Sequence, residues 1–147
     1  MNKKALTVLL SVSLLGGCGW IDGVNDTLVY VNEATEYANE ANTFAEEAPA
    51  LAERATTDPQ AAQELETKLE GMKEDINEFN ELDPPEVASD LHQQVVDQNN
   101  RALEGMDVYL SNIENGQLDP AVIENTEVFQ TLRELTSLIE RIQQFGE

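Results

Sequence analysis

The sequence predicts an all-α protein: an up-down-up-down antiparallel four-helix bundle over residues 27–147, behind a cleavable leader. Two observations predict it. Apolar residues recur in alternating steps of three and four over four long segments, which is the spacing of a helix seam. Three Asp-Pro pairs, Asp58-Pro59, Asp83-Pro84 and Asp119-Pro120, divide those segments. Aspartate is a good helix N-cap, and proline suits the first helical position, where its missing N–H is no loss. Nowhere does an apolar–polar alternation of period two run long enough to suggest a strand.

In the first helix the seam is Tyr30, Ala34, Tyr37, Ala41, Phe44, Ala48 and Leu51. Large and small residues alternate along it, so facing side chains can interdigitate. Pro49 lies inside this seam and frees the carbonyl of Ala45. The helix therefore either kinks there or breaks into a second short helix; the seam stays in phase to Leu51, which favours a kink. The second helix carries Ala62, Leu65, Leu69, Met72, Ile76 and Phe79. The third carries Leu91, Val95, Ala102, Met106, Tyr109 and Ile113, flanked by Val96, Leu103 and Leu110. Gln98 and Asn99 fall where this stripe calls for an apolar residue, so either the stripe skips a turn or a buried amide must be hydrogen-bonded. Asn115-Gly116 is a helix stop. The fourth helix carries Val128, Leu132, Leu135, Ile139 and Ile142, with Phe129, Leu138 and Phe145 beside them. Lengths of about 22 to 31 residues give rods of roughly 33 to 46 Å, and the short links make neighbours antiparallel.

Residues 1–17 form the leader. Lys3 and Lys4 are followed by an apolar run from Ala5 to Leu15. This pattern is that of a secretory signal. At roughly 17 Å of helix, the run is too short to span a hydrocarbon core of roughly 30 Å. It closes on Leu15-Gly16-Gly17-Cys18, and Cys18 is the only cysteine. A leucine three residues before a cysteine, with two small residues between, resembles the lipobox of bacterial lipoproteins. The resemblance implies thioether lipidation of Cys18 with diacylglycerol and further acylation (palmitate) after cleavage before it. Two or more acyl chains hold a protein firmly on a bilayer. Residues 18–26 are expected to be the lipidated cysteine and a short tether, with Trp20 and Ile21 near the membrane–water boundary or folded back on the bundle.

Net charge is −21 over 147 residues, and without Lys3 and Lys4 six basic residues face 29 acidic ones, near −23. Nucleic acid is excluded as a partner, because phosphate binding needs a basic footprint. Such charge gives a soluble, self-repelling surface, or one that attracts divalent cations or a cationic peptide. Glu33, Glu36, Glu40 and Glu47 form an acidic ladder on the first helix, and Glu66, Glu70 and Glu74 another on the second. Like charges at this spacing weaken a helix slightly, and carboxylate oxygens suit calcium or magnesium. No loop of calcium-ligand spacing accompanies them, and no metal or other cofactor is expected.

Catalytic motifs are missing. There is no Glu-x-x-His pair of a bundle metal site, no zinc-protease motif, no phosphate loop and no dinucleotide fingerprint. His92, the lone histidine, reads as a surface residue early in a helix. The chain reads as a non-enzymatic binding or accessory module on the extracytoplasmic face of a cell membrane. Its partner would be an envelope or membrane protein.

The segments Tyr30-Val31-Asn32-Glu33-Ala34-Thr35-Glu36-Tyr37, Asn39-Glu40-Ala41-Asn42-Thr43-Phe44-Ala45 and Asn112-Ile113-Glu114-Asn115-Gly116 are similar to the pattern of an uncharacterised family of small lipoproteins from Gram-positive, spore-forming bacteria. The resemblance implies lipidation and an extracytoplasmic address, and supplies no site residues.

Overall fold

The computed structural model describes residues 19–146. Four helices pack against one another: α1 (Gly19–Ala55), α2 (Pro59–Asn80), α3 (Ser89–Ser111) and α4 (Glu127–Gln143). Helix α1 packs on α2 and α4, and α3 on α4 and, more thinly, on α2. Consecutive helices are therefore neighbours around a square, in the expected up-down-up-down order. All seven residues of the α1 seam and all six of the α2 seam are buried, as are Leu91, Val95, Ala102, Met106 and Tyr109 of α3 and the five of α4. The flanking Phe129 is buried, Leu138 is packed against the core, and Phe145 is exposed.

The core face of α1 is wider than one seam. Val31, Ala38, Ala45 and Ala52, seven residues apart, are buried as well. This second strip faces α4: Val31 meets Gly146 just beyond that helix, and Gln143 Nε2 donates to Thr35 Oγ1 at 3.1 Å. Packing against both α2 and α4 explains the width, since a helix covered on two sides buries more than a single stripe.

Helix α1 runs through Pro49 as one element, so there is no second short helix. The Ala45 carbonyl that proline leaves without its helical donor receives Arg133 Nη1 of α4, at 3.4 Å. Helix α1 also begins earlier than expected. It starts at Gly19, so residues 19–26, read as a tether, are helical. Nothing between Cys18 and Tyr30 stops a helix, and once the packed turns exist each added residue gains a hydrogen bond without a new nucleus. At 37 residues α1 exceeds the expected range, and at 17 residues α4 falls short of it.

The three Asp-Pro marks act differently. Asp58 caps α2, its side chain accepting from Gln60 N at 2.9 Å. Asp83 does not cap α3. Pro85 is extended, at ψ 154°, a 3-10 turn follows at Glu86–Ala88, and α3 starts at Ser89. The second proline holds Pro84 out of the helical region, so the helix cannot begin there. Asp119 caps a 3-10 turn, Pro120–Glu124, and α4 starts only at Glu127 after the non-helical Asn125.

Asn115-Gly116 is not simply a helix stop. It joins β1 (Ile113–Glu114) to β2 (Gln117–Leu118), antiparallel in the register Ile113↔Leu118 and Glu114↔Gln117. Both turn residues have positive φ, 54° and 78°. An Asn-Gly pair is suited to that two-residue turn. Two-residue strands are too short to leave a period-two signal. Leu118 is buried, so the hairpin closes the end of the core.

Candidate functional site

The lipidation set Leu15, Gly16, Gly17 and Cys18 lies outside the described residues, as does the leader 1–17. Its nearest described neighbour is Gly19, the first residue of α1. Among the described residues no helix is long and apolar enough to cross a membrane.

The acidic faces form a groove between α1 and α2. Helical spacing of three and four brings Glu33, Glu36 and Glu40 to one edge, and Asp75 and Glu78 line the other. Tyr37, Phe79 and Leu82 complete a groove of about 300 Å³. Only part of the sequence-derived ladder is present here. Glu66, Glu70 and Glu74 are exposed and line no part of this groove, and Glu47 instead pairs with Lys68 at 2.9 Å. Asp75 and Glu78 were not singled out from the sequence. The available signal is their spacing of three beside the buried Ile76 and Phe79, which sets them at the edge of the packed stripe.

The groove repels itself. Partial burial raises the Glu40 carboxyl above its ordinary range, with Asp75, Glu36 and Glu78 adding like charge. Asp75 is raised by burial and by Glu78 and Glu74. Both carboxylates are held closer to protonation than free ones, and a nearby positive charge would relieve them.

Beneath the groove lies a buried polar line. Asn99 is fully buried, so the α3 stripe does not skip a turn. Its side chain accepts from the Tyr37 hydroxyl and donates to Asn80 Oδ1, the latter at 2.7 Å. Three helices are thus joined through one amide. His92 is buried too, which corrects the surface reading. Its Nδ1 lies 2.9 Å from the Tyr30 hydroxyl, and its ring stacks on Phe79 with centroids 5.1 Å apart. Phe79 stacks in turn on Tyr37 at 4.6 Å. Burial pushes the Tyr30 and Tyr37 phenols up, so they keep their protons. Burial lowers the His92 imidazole, against a smaller upward pull from Asp83. Single-sequence reading misses His92 because its neighbours Gln93 and Gln94 are polar, while it sits four residues before Val96 and beside Leu91 at the edge of the stripe.

Fold and groove define a class: small, strongly acidic, all-α bundle proteins with a polar seam inside. Within it, the chain belongs to a family of unknown function, DUF6376, whose pattern matches residues 30–145. That match begins at Tyr30, which is buried in α1. Along 147 residues, 99% of this chain and 99% of the relative, the sequence is 38% identical to the uncharacterized lipoprotein YybP of Bacillus subtilis (strain 168). No solved structure matches.

Proposed function

We propose that this chain is a lipoprotein held on the outer face of the cytoplasmic membrane through Cys18, its bundle serving as a non-enzymatic binding or accessory module for an envelope or membrane protein. End-to-end likeness to a lipoprotein carries the reading, since the aligned region includes the leader and Cys18. The lipobox-like Leu15-Gly16-Gly17-Cys18 supports it independently. The non-enzymatic part is supported by the state of the one histidine, which is enclosed in the interior and bonded to Tyr30. Labelling cells with a fatty-acid analogue tests the anchor. The wild-type chain takes up label and fractionates with membranes, whereas Cys18→Ala does neither; a wild-type chain without label removes the reading.

The groove favours a second reading, in which the bound partner is cationic. Among the described residues, no three of His, Cys, Asp and Glu gather closely enough to hold a metal ion. The geometry therefore suits a spread-out cationic peptide better than a dehydrated divalent ion. Titration with oligolysine, calcium and magnesium tests it. Oligolysine binding should weaken with salt and fall severalfold in Glu40→Gln/Asp75→Asn, because partner charges in the groove carry it. Equal binding by the variant and the wild type would remove it.

A further inference from the structure

The acidic groove is one half of a longer trough. A second hollow of about 360 Å³ continues it along α1 and α2, and the two share Glu40 and Asp75. The halves differ in chemistry. Carboxylates surround the first, where Glu33, Glu36 and Glu78 join the shared pair and, among the described residues, no cation takes part. The second has an apolar floor, Phe44 and Met72, both buried. Its far rim is neutralised, because Lys68 and Glu47 pair there at 2.9 Å. Along α1 the first half is lined from Glu33 to Glu40 and the second from Asn39 to Glu47. Their centres are thus about two helical turns apart, roughly 10 Å. Gly71 forms part of the wall of the second half. It lies inside α2, is exposed, and a Cβ there meets nothing within 4 Å. Glycine inside a helix is unfavourable relative to alanine. Gly105 has a packing reason for its missing side chain, the close approach of Val128. Gly71 has none among the described residues. What it leaves is a notch where another molecule can come close to the backbone.

We infer that the trough takes an extended segment of a partner protein with one bulky apolar side chain and, about 10 Å further along, a cluster of basic ones. The apolar side chain enters the notch beside Gly71 and settles on Phe44 and Met72. The basic ones lie between Glu36 and Glu40 on one side and Asp75 and Glu78 on the other. The inference rests on the cationic reading of the groove above, and adds to it an apolar anchor and a direction. Charge complementarity selects this occupant. A second copy of the chain would bring acid against acid. An uncharged apolar segment would leave the like-charge repulsion at Glu40 and Asp75 unrelieved. The direction follows from Lys68, which repels the basic end from the notch and sends it towards Glu36 and Glu78.

Two acetylated peptides of equal charge test this on the purified full chain: Phe-Gly-Gly-Lys-Lys-Lys and Ala-Gly-Gly-Lys-Lys-Lys. Extended chain sets the first side chain about 10 Å from the lysines. At low salt the wild type should bind the phenylalanine peptide about tenfold more tightly, the gain expected for covering much of an aromatic ring. Gly71→Gln fills the notch without changing charge, and its Cβ meets nothing that would disturb the fold. In that variant the ratio should fall to about one, while the alanine peptide binds as it does to the wild type. Glu40→Gln/Asp75→Asn should weaken both peptides alike. Equal binding of the two peptides by the wild type, or a ratio that persists in Gly71→Gln, overturns the apolar anchor and leaves the charge reading standing. An alanine peptide indifferent to Glu40→Gln/Asp75→Asn overturns the charge reading whatever the ratio, and binding of neither peptide overturns both.

Discussion

Asn99 concentrates more of the bundle's specificity than any apolar residue near it. It is a fully buried amide whose oxygen and nitrogen are both used, towards Tyr37 of α1 and Asn80 of α2. A satisfied buried amide fixes register, whereas one partner left alone carries the full desolvation penalty. Asn99→Ala should therefore destabilise the protein by about 1–3 kcal/mol, more than Tyr37→Phe, which removes only one of the two bonds. Urea denaturation of both variants checks the order. His92 makes a different prediction. Its folded pKa lies below the ordinary value, so the fold favours the neutral ring. That contribution is complete above the unfolded-state value near 6.5 and is lost as pH falls through the lower folded value. Stability should decline on acidification below about pH 6.5 in the wild type, and the decline should shrink in His92→Gln. Thermal melts across pH 7.5 to 4.5 check it. The raised Glu40 and Asp75 have the opposite sign, and their protonation stabilises the fold as pH falls through the carboxylate range.

At the scale of helices, spacing sets how closely they approach. Gly105 of α3 faces Val128 of α4, and a Cβ there would stand 2.8 Å from Val128 Cβ. Gly71 of α2 has nothing within 4 Å of the same point. Both are helical glycines, so propensity alone favours alanine at each by about 1 kcal/mol. Packing separates them. Gly71→Ala should stabilise by about 0.5–1 kcal/mol, while Gly105→Ala should destabilise by about 1–3 kcal/mol as α3 and α4 are forced apart. Denaturant midpoints at constant m-value check both. Seams were legible at this scale because every stripe position answers to one period. Helix starts were less so. Asp58, Asp83 and Asp119 look alike in sequence, yet only Asp58 begins an α-helix directly. What distinguishes the others is the second proline at Pro85 and the non-helical ψ of 83° at Asn125, the first a local steric rule, the second a matter of how the hairpin hands the chain to α4.

Over the whole molecule, topology followed from short links and four seams, and the acidic character from a count. The groove did not, because it belongs to two helices at once. Glu33, Glu36 and Glu40 could be set on one face of α1, but their counterparts are Asp75 and Glu78 rather than the more conspicuous run Glu66, Glu70 and Glu74. Only the rotation of α2 about its axis decides between them. His92 and Asn99 were obscure for the same reason: they are polar residues whose burial depends on partners 62 positions away.

The Asn115-Gly116 hairpin stands beside Pro59, at the opposite end from the start of α1. The chain leaves the last turn, Gln144–Gly146, beside Val31, close to where α1 enters the core. A reporter fused after that turn would emerge next to the start of the α1 core face and crowd it. An epitope inserted between Asn115 and Gly116 would be displayed about 34 Å further off, the length of α3.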